Sequence, residues 1–382
     1  MLKTTTASSE LHCSPAKEIL STRSDVRPLV SVTAAEIGKA DLQPPPFVIE
    51  GLLPAGMSVF AAPPKTGKSW FCLDMACAIA EGRSFWGRRC SRGSVLYLDL
   101  ESKDYRVKSR LKAANLRGTD NLHFVFSAAN LGYGLLEQLS AWVAQHPDTN
   151  TIIIDTLGRV KGFPSRNTDA YTADTATLAP LQAWALQNNV AVICVTHLRK
   201  AGATRYEADS DPFERITGSN AQFGVADTAW IITGKRDDAE RHFIASGRDI
   251  EAVDLAITFD RNRMRWKCLG DAELRQRDNA RLEYDSNPIV KTIRELLEGD
   301  SGSELRISSG DLCDETVLRH GSAGCTPSGM GKRLAILSDK LYLYDRIIHD
   351  PPTSGGGNKG RLHKFRYEQS SSIKTEQIGL AV

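Results

Sequence analysis

The chain has 382 residues, 41% of them hydrophobic, and a formal net charge of +2. That length exceeds one usual core and predicts two domains with tails, while the near balance of charge excludes a global basic field, so any nucleic-acid surface must be local. The eight cysteines form no C-x-x-C pair, no apolar run reaches about 18 residues, and residues 4–9 are polar, which argues against a zinc or disulfide scaffold, a membrane span and a secretory leader, and predicts a soluble cytoplasmic protein.

Residues 1–46 are rich in Ser, Thr and Ala and end in Pro44-Pro45-Pro46, the composition of a flexible arm followed by a stiff spacer. From Phe47 to about residue 275 strand and helix patterns alternate. Strands are expected over 57–61, 94–99, 123–127, 151–154, 191–196 and 228–233, with helices over 69–81, 103–115, 134–145 and 171–188. Several strands are apolar throughout rather than alternating, as in a mostly parallel sheet covered on both faces. Three short runs, 243–245, 254–258 and 264–267, read as antiparallel edge strands.

A second region spans 284–368, with helices expected over 287–298, 309–319 and 326–341. Thr326 is placed to cap the third helix, with Pro327 at its first position. A run at 346–349, a Gly-rich tip at 354–360 and a run at 361–367 follow, so three helices precede a Gly-tipped hairpin, the order of a winged helix. Residues 369–382 are expected to form a disordered tail.

The chemistry concentrates at Ala62-Pro63-Pro64-Lys65-Thr66-Gly67-Lys68-Ser69-Trp70, which follows a β-rich apolar run and opens a helix. A nucleoside triphosphate needs converging backbone N–H groups, a flexible cation and a hydroxyl for Mg²⁺; Gly67, Lys68 and Ser69 supply these. The positive end of the helix dipole adds to them. Ala62 stands where the strict pattern has its first glycine. The competing reading is a lysine-bearing surface turn, which the preceding strand and following helix disfavour.

Four further residues are candidates. Asp155 ends the apolar run Thr151-Ile152-Ile153-Ile154, where an acid beside a phosphate loop holds the Mg²⁺ shell; otherwise it is an Asp ending a buried strand. Glu101 follows another buried run and is placed to activate water, with Asp99 its competitor, since alternation sends both side chains the same way. His197 ends a third apolar strand, either as a γ-phosphate sensor or as a hydrogen-bonded strand-end histidine. Arg248 is the best candidate for an arginine finger acting on a neighbour's nucleotide; without family information it reads as a surface arginine paired with Asp249.

With these residues in place, the stretch from about Phe47 to Gly270 resembles the RecA-like hexameric ATPases, and within them the RepA-type helicases of plasmids and other mobile elements, in the company of DnaB-type helicases. The resemblance rests on Leu96-Tyr97-Leu98-Asp99-Leu100-Glu101, Ile153-Ile154-Asp155-Thr156-Leu157-Gly158-Arg159, Thr196-His197-Leu198-Arg199-Lys200, Thr217-Gly218-Ser219 and Gly247-Arg248-Asp249-Ile250, besides the phosphate loop. It implies a RecA-like P-loop core that binds ATP and Mg²⁺, with Lys68 and Ser69 on phosphate and metal. It also implies Glu101 rather than Asp99 as base, Asp155 as metal-shell acid, His197 as sensor and Arg248 as the finger given to the next subunit, with Arg241 or Arg236 next in line.

In ring ATPases of this type the loops after the Asp155 and His197 strands face a channel and grip single-stranded DNA, which assigns that role to Lys200, Arg205 and Arg215; acidic neighbours 207, 209, 211 and 214 offer a plain surface loop instead. From 326 to 367 eight basic side chains face three acidic ones. Lys332 and Arg333 would lie on the recognition helix, and Lys359 and Arg361 at the wing, placed to follow duplex phosphates. The expectation is a hexamer-forming ATPase and DNA motor for replication of a mobile element. The alternatives are a non-translocating recombination ATPase and a nucleotide-switched DNA-binding regulator.

Overall fold

A strand with no polar alternation has to be covered on both sides, and the central strands of this chain are. The computed structural model describes residues 31–162, 170–198, 213, 221–234, 238–299, 304–352 and 361–368. By contacts the chain divides into a unit ending at Pro44 and a unit running from Pro45. In the first, Ala34–Lys39 is a short helix closed by a capping box, with the Thr33 hydroxyl accepting from the Glu36 N–H and the Glu36 carboxylate from the Thr33 N–H. This helix is an addition to the elements expected within residues 1–46, since Thr-x-x-Glu is a helix start even in a Ser/Thr-rich segment.

In the second unit the strands are β1 (Phe47–Ile49), β2 (Leu53–Pro54), β3 (Gly56–Ala62), β4 (Ser94–Asp99), β5 (Leu122–Val125), β6 (Thr149–Asp155), β7 (Ala191–His197), β8 (Thr228–Thr233), β9 (Arg241–Gly247), β10 (Val253–Asp260) and β11 (Arg265–Asp271). After these come β12 (Leu305–Ser308), β13 (Ile347–Asp350) and β14 (Leu362–Tyr367). Nine of them form one sheet in the order β11-β10-β9-β8-β3-β7-β6-β4-β5. The pairs from β8 to β5 are parallel, and those from β8 to β11 are antiparallel.

Successive side chains of each central strand enter opposite cores. Ile153, Ile193, Phe60 and Tyr97 join Phe71, Phe85, Trp230 and Phe243 on the face covered by helix Lys68–Glu81. Ile152, Ile154, Val59 and Leu98 join Leu139, Leu178, Leu181 and Trp184 on the face covered by helices Leu135–Gln145 and Ala170–Gln187. This is a mixed α/β fold built on a large, mostly parallel sheet.

Helix Ala272–Ser286 leaves the sheet. It buries only Ala272 and Tyr284 and lacks an apolar stripe, so periodicity did not reveal it. Tyr284 belongs to the core of the C-terminal region, with Ile293, Leu312, Leu334, Leu341 and Phe365. That region runs helix Pro288–Gly299, β12, helix Ser309–His320, helix Pro327–Asp345, β13 and β14, and its three strands form an antiparallel sheet in the order β12-β14-β13. β12 is an addition to the elements expected from sequence. The Asp345 carboxylate accepts from Arg294 Nε and from the Tyr284 hydroxyl, both at 2.6 Å, tying the connecting helix to this region. Among the described residues no helix is long and apolar enough to cross a membrane, and seven cysteines are free.

Candidate active site

Sheet order brings together what the sequence keeps far apart. β3, β7, β6 and β4 are consecutive neighbours, and Ala62 pairs with His197, Asp155 with Val195, and Asp99 with Asp155. With strands about 4.8 Å apart, residues at their carboxyl ends fall within reach of one ligand, the usual place for a site in such a sheet. A cleft of about 850 Å³ opens there. Its walls include Lys65 to Trp70, Glu101, Asp155 and His197.

The phosphate loop is held by its own bonds. The Thr66 hydroxyl donates to the Pro63 carbonyl at 2.7 Å. Gly67 caps helix Lys68–Glu81 with φ +97°, a conformation that side chains disfavour. Ala62 and Pro63 turn their carbonyls toward Lys68 Nζ, at 3.0 and 3.3 Å, and Pro64 is exposed. Ala62 is the last residue of β3 and is not among the residues with positive φ, so its position makes no demand for glycine. That accounts for the departure from the strict motif.

Lys68 is buried, and burial lowers its pKa, with the charge of Asp155 the main opposing influence. Its Nζ also lies 2.9 Å from His197 Nδ1. An ammonium has only protons to give, so Nδ1 accepts and the imidazole is neutral. Burial, then the Lys68 charge, hold the His197 pKa below its ordinary value. Asp155 accepts from the Ser69 hydroxyl at 3.1 Å and the Tyr97 hydroxyl at 2.9 Å, both on Oδ2. Burial raises its pKa, and the nearby charges of Asp99 and Glu101 raise it further against those two bonds.

Register separates the two acids that alternation left open. Asp99 is the last residue of β4, buried, with its carboxylate on Arg110 at 3.4 Å and on the Ser102 N–H at 3.0 Å. Glu101 lies beyond the strand, is exposed to the cleft, and accepts from the Thr156 hydroxyl at 3.1 Å.

Arg248 stands elsewhere. β9 runs antiparallel to β8, which puts Arg241 level with the phosphate loop and Arg248 past the other end of the strand. Seven residues at about 3.3 Å each separate them by roughly 23 Å. Arg248 pairs with Asp227 at 3.0 Å, not with Asp249 as its sequence neighbour suggested, and its side chain remains 58% exposed. Lys332, Arg333 and Arg361 are exposed. Lys200, Arg205, Arg215, Arg236, Lys359 and the Gly-rich tip lie outside the described residues.

Sequence reasoning expected the antiparallel strands and named Arg241 only as an alternative finger, but did not place them in the wall of the cleft. Arg241, Thr258, Phe259, Arg261, Met264 and Trp266 also line the cleft. No local motif marks them, because their place follows from how β9, β10 and β11 close the sheet.

Residues 22–203 match the model of the AAA domain family. Among solved structures, one ATPase domain is 15% identical, with 56% of this chain and 85% of that one covered and a TM-score of 0.44. A DnaB-like replicative helicase, described with its interactions with primase, is 15% identical, with 61% and 66% covered and a TM-score of 0.46. A KaiC-like protein of the hyperthermophilic archaeon Pyrococcus horikoshii OT3 is 14% identical, with 58% and 93% covered and a TM-score of 0.39. No curated protein matches the chain.

Proposed function

We propose that the cleft binds and hydrolyses ATP, and that the chain is a ring-forming motor of the replicative-helicase type acting on single-stranded DNA. The observation that carries this reading is the convergence of Lys68, Ser69, Glu101, Asp155 and His197 at the carboxyl ends of four adjacent strands.

In this reading the triphosphate seats on the amides of the loop and the N-terminus of helix Lys68–Glu81. Lys68 exchanges the Ala62 and Pro63 carbonyls and His197 Nδ1 for the β- and γ-phosphate oxygens. Ser69 and Asp155 offer the hard oxygen donors that Mg²⁺ takes, and a buried acid satisfied by two neutral hydroxyls suits a cation. When bound, Mg²⁺ would neutralise charge on the phosphate oxygens. Glu101 accepts a proton from the attacking water, whose oxygen bonds to the γ-phosphorus as the bond to the bridging oxygen of ADP breaks. His197, released by Lys68, regains proton affinity and can signal nucleotide state to the segment that follows it.

Arg248 is proposed as the finger offered to the next subunit, its exposed side chain exchanging Asp227 for a neighbour's γ-phosphate. The C-terminal order helix–strand–helix–helix–strand–strand supports a winged helix, with Lys332, Arg333 and Arg361 as candidate phosphate contacts. A setting in replication of a mobile element belongs to the same proposal.

The test is the size of the full chain with a non-hydrolysable ATP analogue and an oligonucleotide, followed by displacement of a strand from a forked duplex with ATP. A ring of about six subunits and displacement abolished in Arg248→Ala support the motor. A chain that stays monomeric contradicts it. Turnover stimulated by single strands without displacement favours a recombination ATPase, and sequence-specific duplex binding that survives Lys68→Ala favours a regulator.

A further inference from the structure

The nucleotide reading leaves the antiparallel wall of the cleft without a task, yet its residues are tied to the phosphate loop. Trp266, almost fully buried on β11, donates its Nε1–H to the Gly67 carbonyl at 3.2 Å. A Cβ built on Gly67 would meet that same nitrogen at 3.3 Å, so the indole sits against the loop's tightest point. The Trp266 carbonyl in turn accepts from Trp86 Nε1 at 3.0 Å, which fixes the backbone that carries the indole.

A cation stands over the same ring. The Arg241 guanidinium lies 5.4 Å from the centre of the Trp266 ring. Alternation along β9 sends Arg241, Phe243 and Ala245 to the face covered by helix Lys68–Glu81, and all three are buried. Phe243 stacks on Phe71 of that helix with ring centres 5.5 Å apart. One packed unit therefore joins the loop, the helix it opens and a buried cation lining the same cleft as Lys68.

We propose that Arg241 is a phosphate-binding residue of its own subunit's nucleotide site, and that Trp266 is a positioning residue that holds Arg241 and the Gly67 turn in register. This rests on the nucleotide reading above and deepens it. It gives the two arginines of β9 separate ligands: Arg241 serves the site within its own chain, and Arg248 is the one offered outward. The ligand class Arg241 recognises is the polyphosphate chain, because a guanidinium held by an indole face presents its N–H edge to anionic oxygens.

The experiment measures binding of Mg-ATP, tripolyphosphate and adenosine by the full chain, with the melting temperature recorded for each variant. Arg241→Gln is expected to weaken ATP and tripolyphosphate about tenfold and leave adenosine unchanged, with Arg241→Lys recovering most of the loss. Trp266→Phe keeps an aromatic face but loses the N–H and the second ring of the indole, and is expected to weaken both phosphate ligands about fivefold. Unaltered tripolyphosphate affinity in Arg241→Gln overturns the proposal. So does an equal loss for adenosine, or an Arg241→Lys variant as weak as Arg241→Gln, since either would mean packing rather than charge. Wild-type protein with no affinity for Mg-ATP removes the nucleotide reading and this inference together, whereas tight wild-type binding with unaffected variants removes the inference alone.

Discussion

At the carboxyl end of the parallel strands Asp155 is buried with two neutral hydroxyls as its partners, Tyr97 and Ser69. At the amino end of the same sheet Asp227 is equally buried but fully supplied. Its carboxylate accepts from the Met57 N–H at 2.9 Å, Gln182 Nε2 at 2.8 Å and Arg248 Nη1 at 3.0 Å. Gly56, with φ +117°, leaves room for it, since a Cβ there would come within 2.7 Å of Asp227 Oδ2. The sheet therefore buries two acids in opposite ways. Asp227 is matched by a cation from its own chain and holds β3, β8 and β9 together. Asp155 is under-compensated, its proton affinity raised by burial, and so keeps an appetite for positive charge facing an open cleft.

The largest stability effect should come from breaking the compensated end. Asp227→Ala leaves Arg248, Gln182 and the Met57 N–H without their partner, and a loss of about 3 kcal/mol is expected, read as a fall in melting temperature. ATP affinity per folded molecule should stay near wild type. If Asp227→Ala instead folds as stably as the parent, the matched pair is decorative and the contrast fails.

A smaller effect sharpens the other end. Tyr97→Phe removes one hydroxyl that stabilises the Asp155 carboxylate, at a cost of about 1 kcal/mol, and so raises the proton affinity of Asp155 further. Because Asp155 already holds its proton more tightly than an ordinary aspartate, its neutral form favours the folded state in acid, and that contribution is lost as pH rises through the raised value. In the proposed reaction the dependence runs the other way, since the carboxylate is the form that would hold the metal shell. The acid limb of ATPase activity should therefore move to higher pH in Tyr97→Phe, with a higher Mg²⁺ requirement. An unchanged limb would show that Tyr97 does not tune Asp155.

Much of the parallel half was legible in the sequence because its strands are continuous apolar runs ended by single polar residues. Asp155 and His197 stand at such ends, and Gly67-Lys68-Ser69 opens a helix. The lengths of β6 and β7 were underestimated, by three residues and by one, and in both the parallel ladder carries pairing onto the terminal polar residue. Alternation alone did not separate the surroundings of Asp99 and Glu101, because it does not give the end of β4. Asp227, Arg241 and Trp266 were not singled out as structural or cis site residues because nothing in their neighbourhoods is patterned. Their partners lie 170, 25 and 199 residues away in Met57, Trp266 and Gly67. Helix Ala272–Ser286 escaped because it is charged on all sides.

The account turns on Lys68 as the cation that exchanges protein acceptors for phosphate oxygens. The most direct measurement is Mg-ATP binding and turnover by the full chain, wild type against Lys68→Ala. Wild type should bind and hydrolyse ATP, and Lys68→Ala should lose at least about a hundredfold in turnover with its melting temperature nearly unchanged. Equal turnover in the two proteins, or none in wild type with Mg²⁺ and single strands supplied, would contradict it.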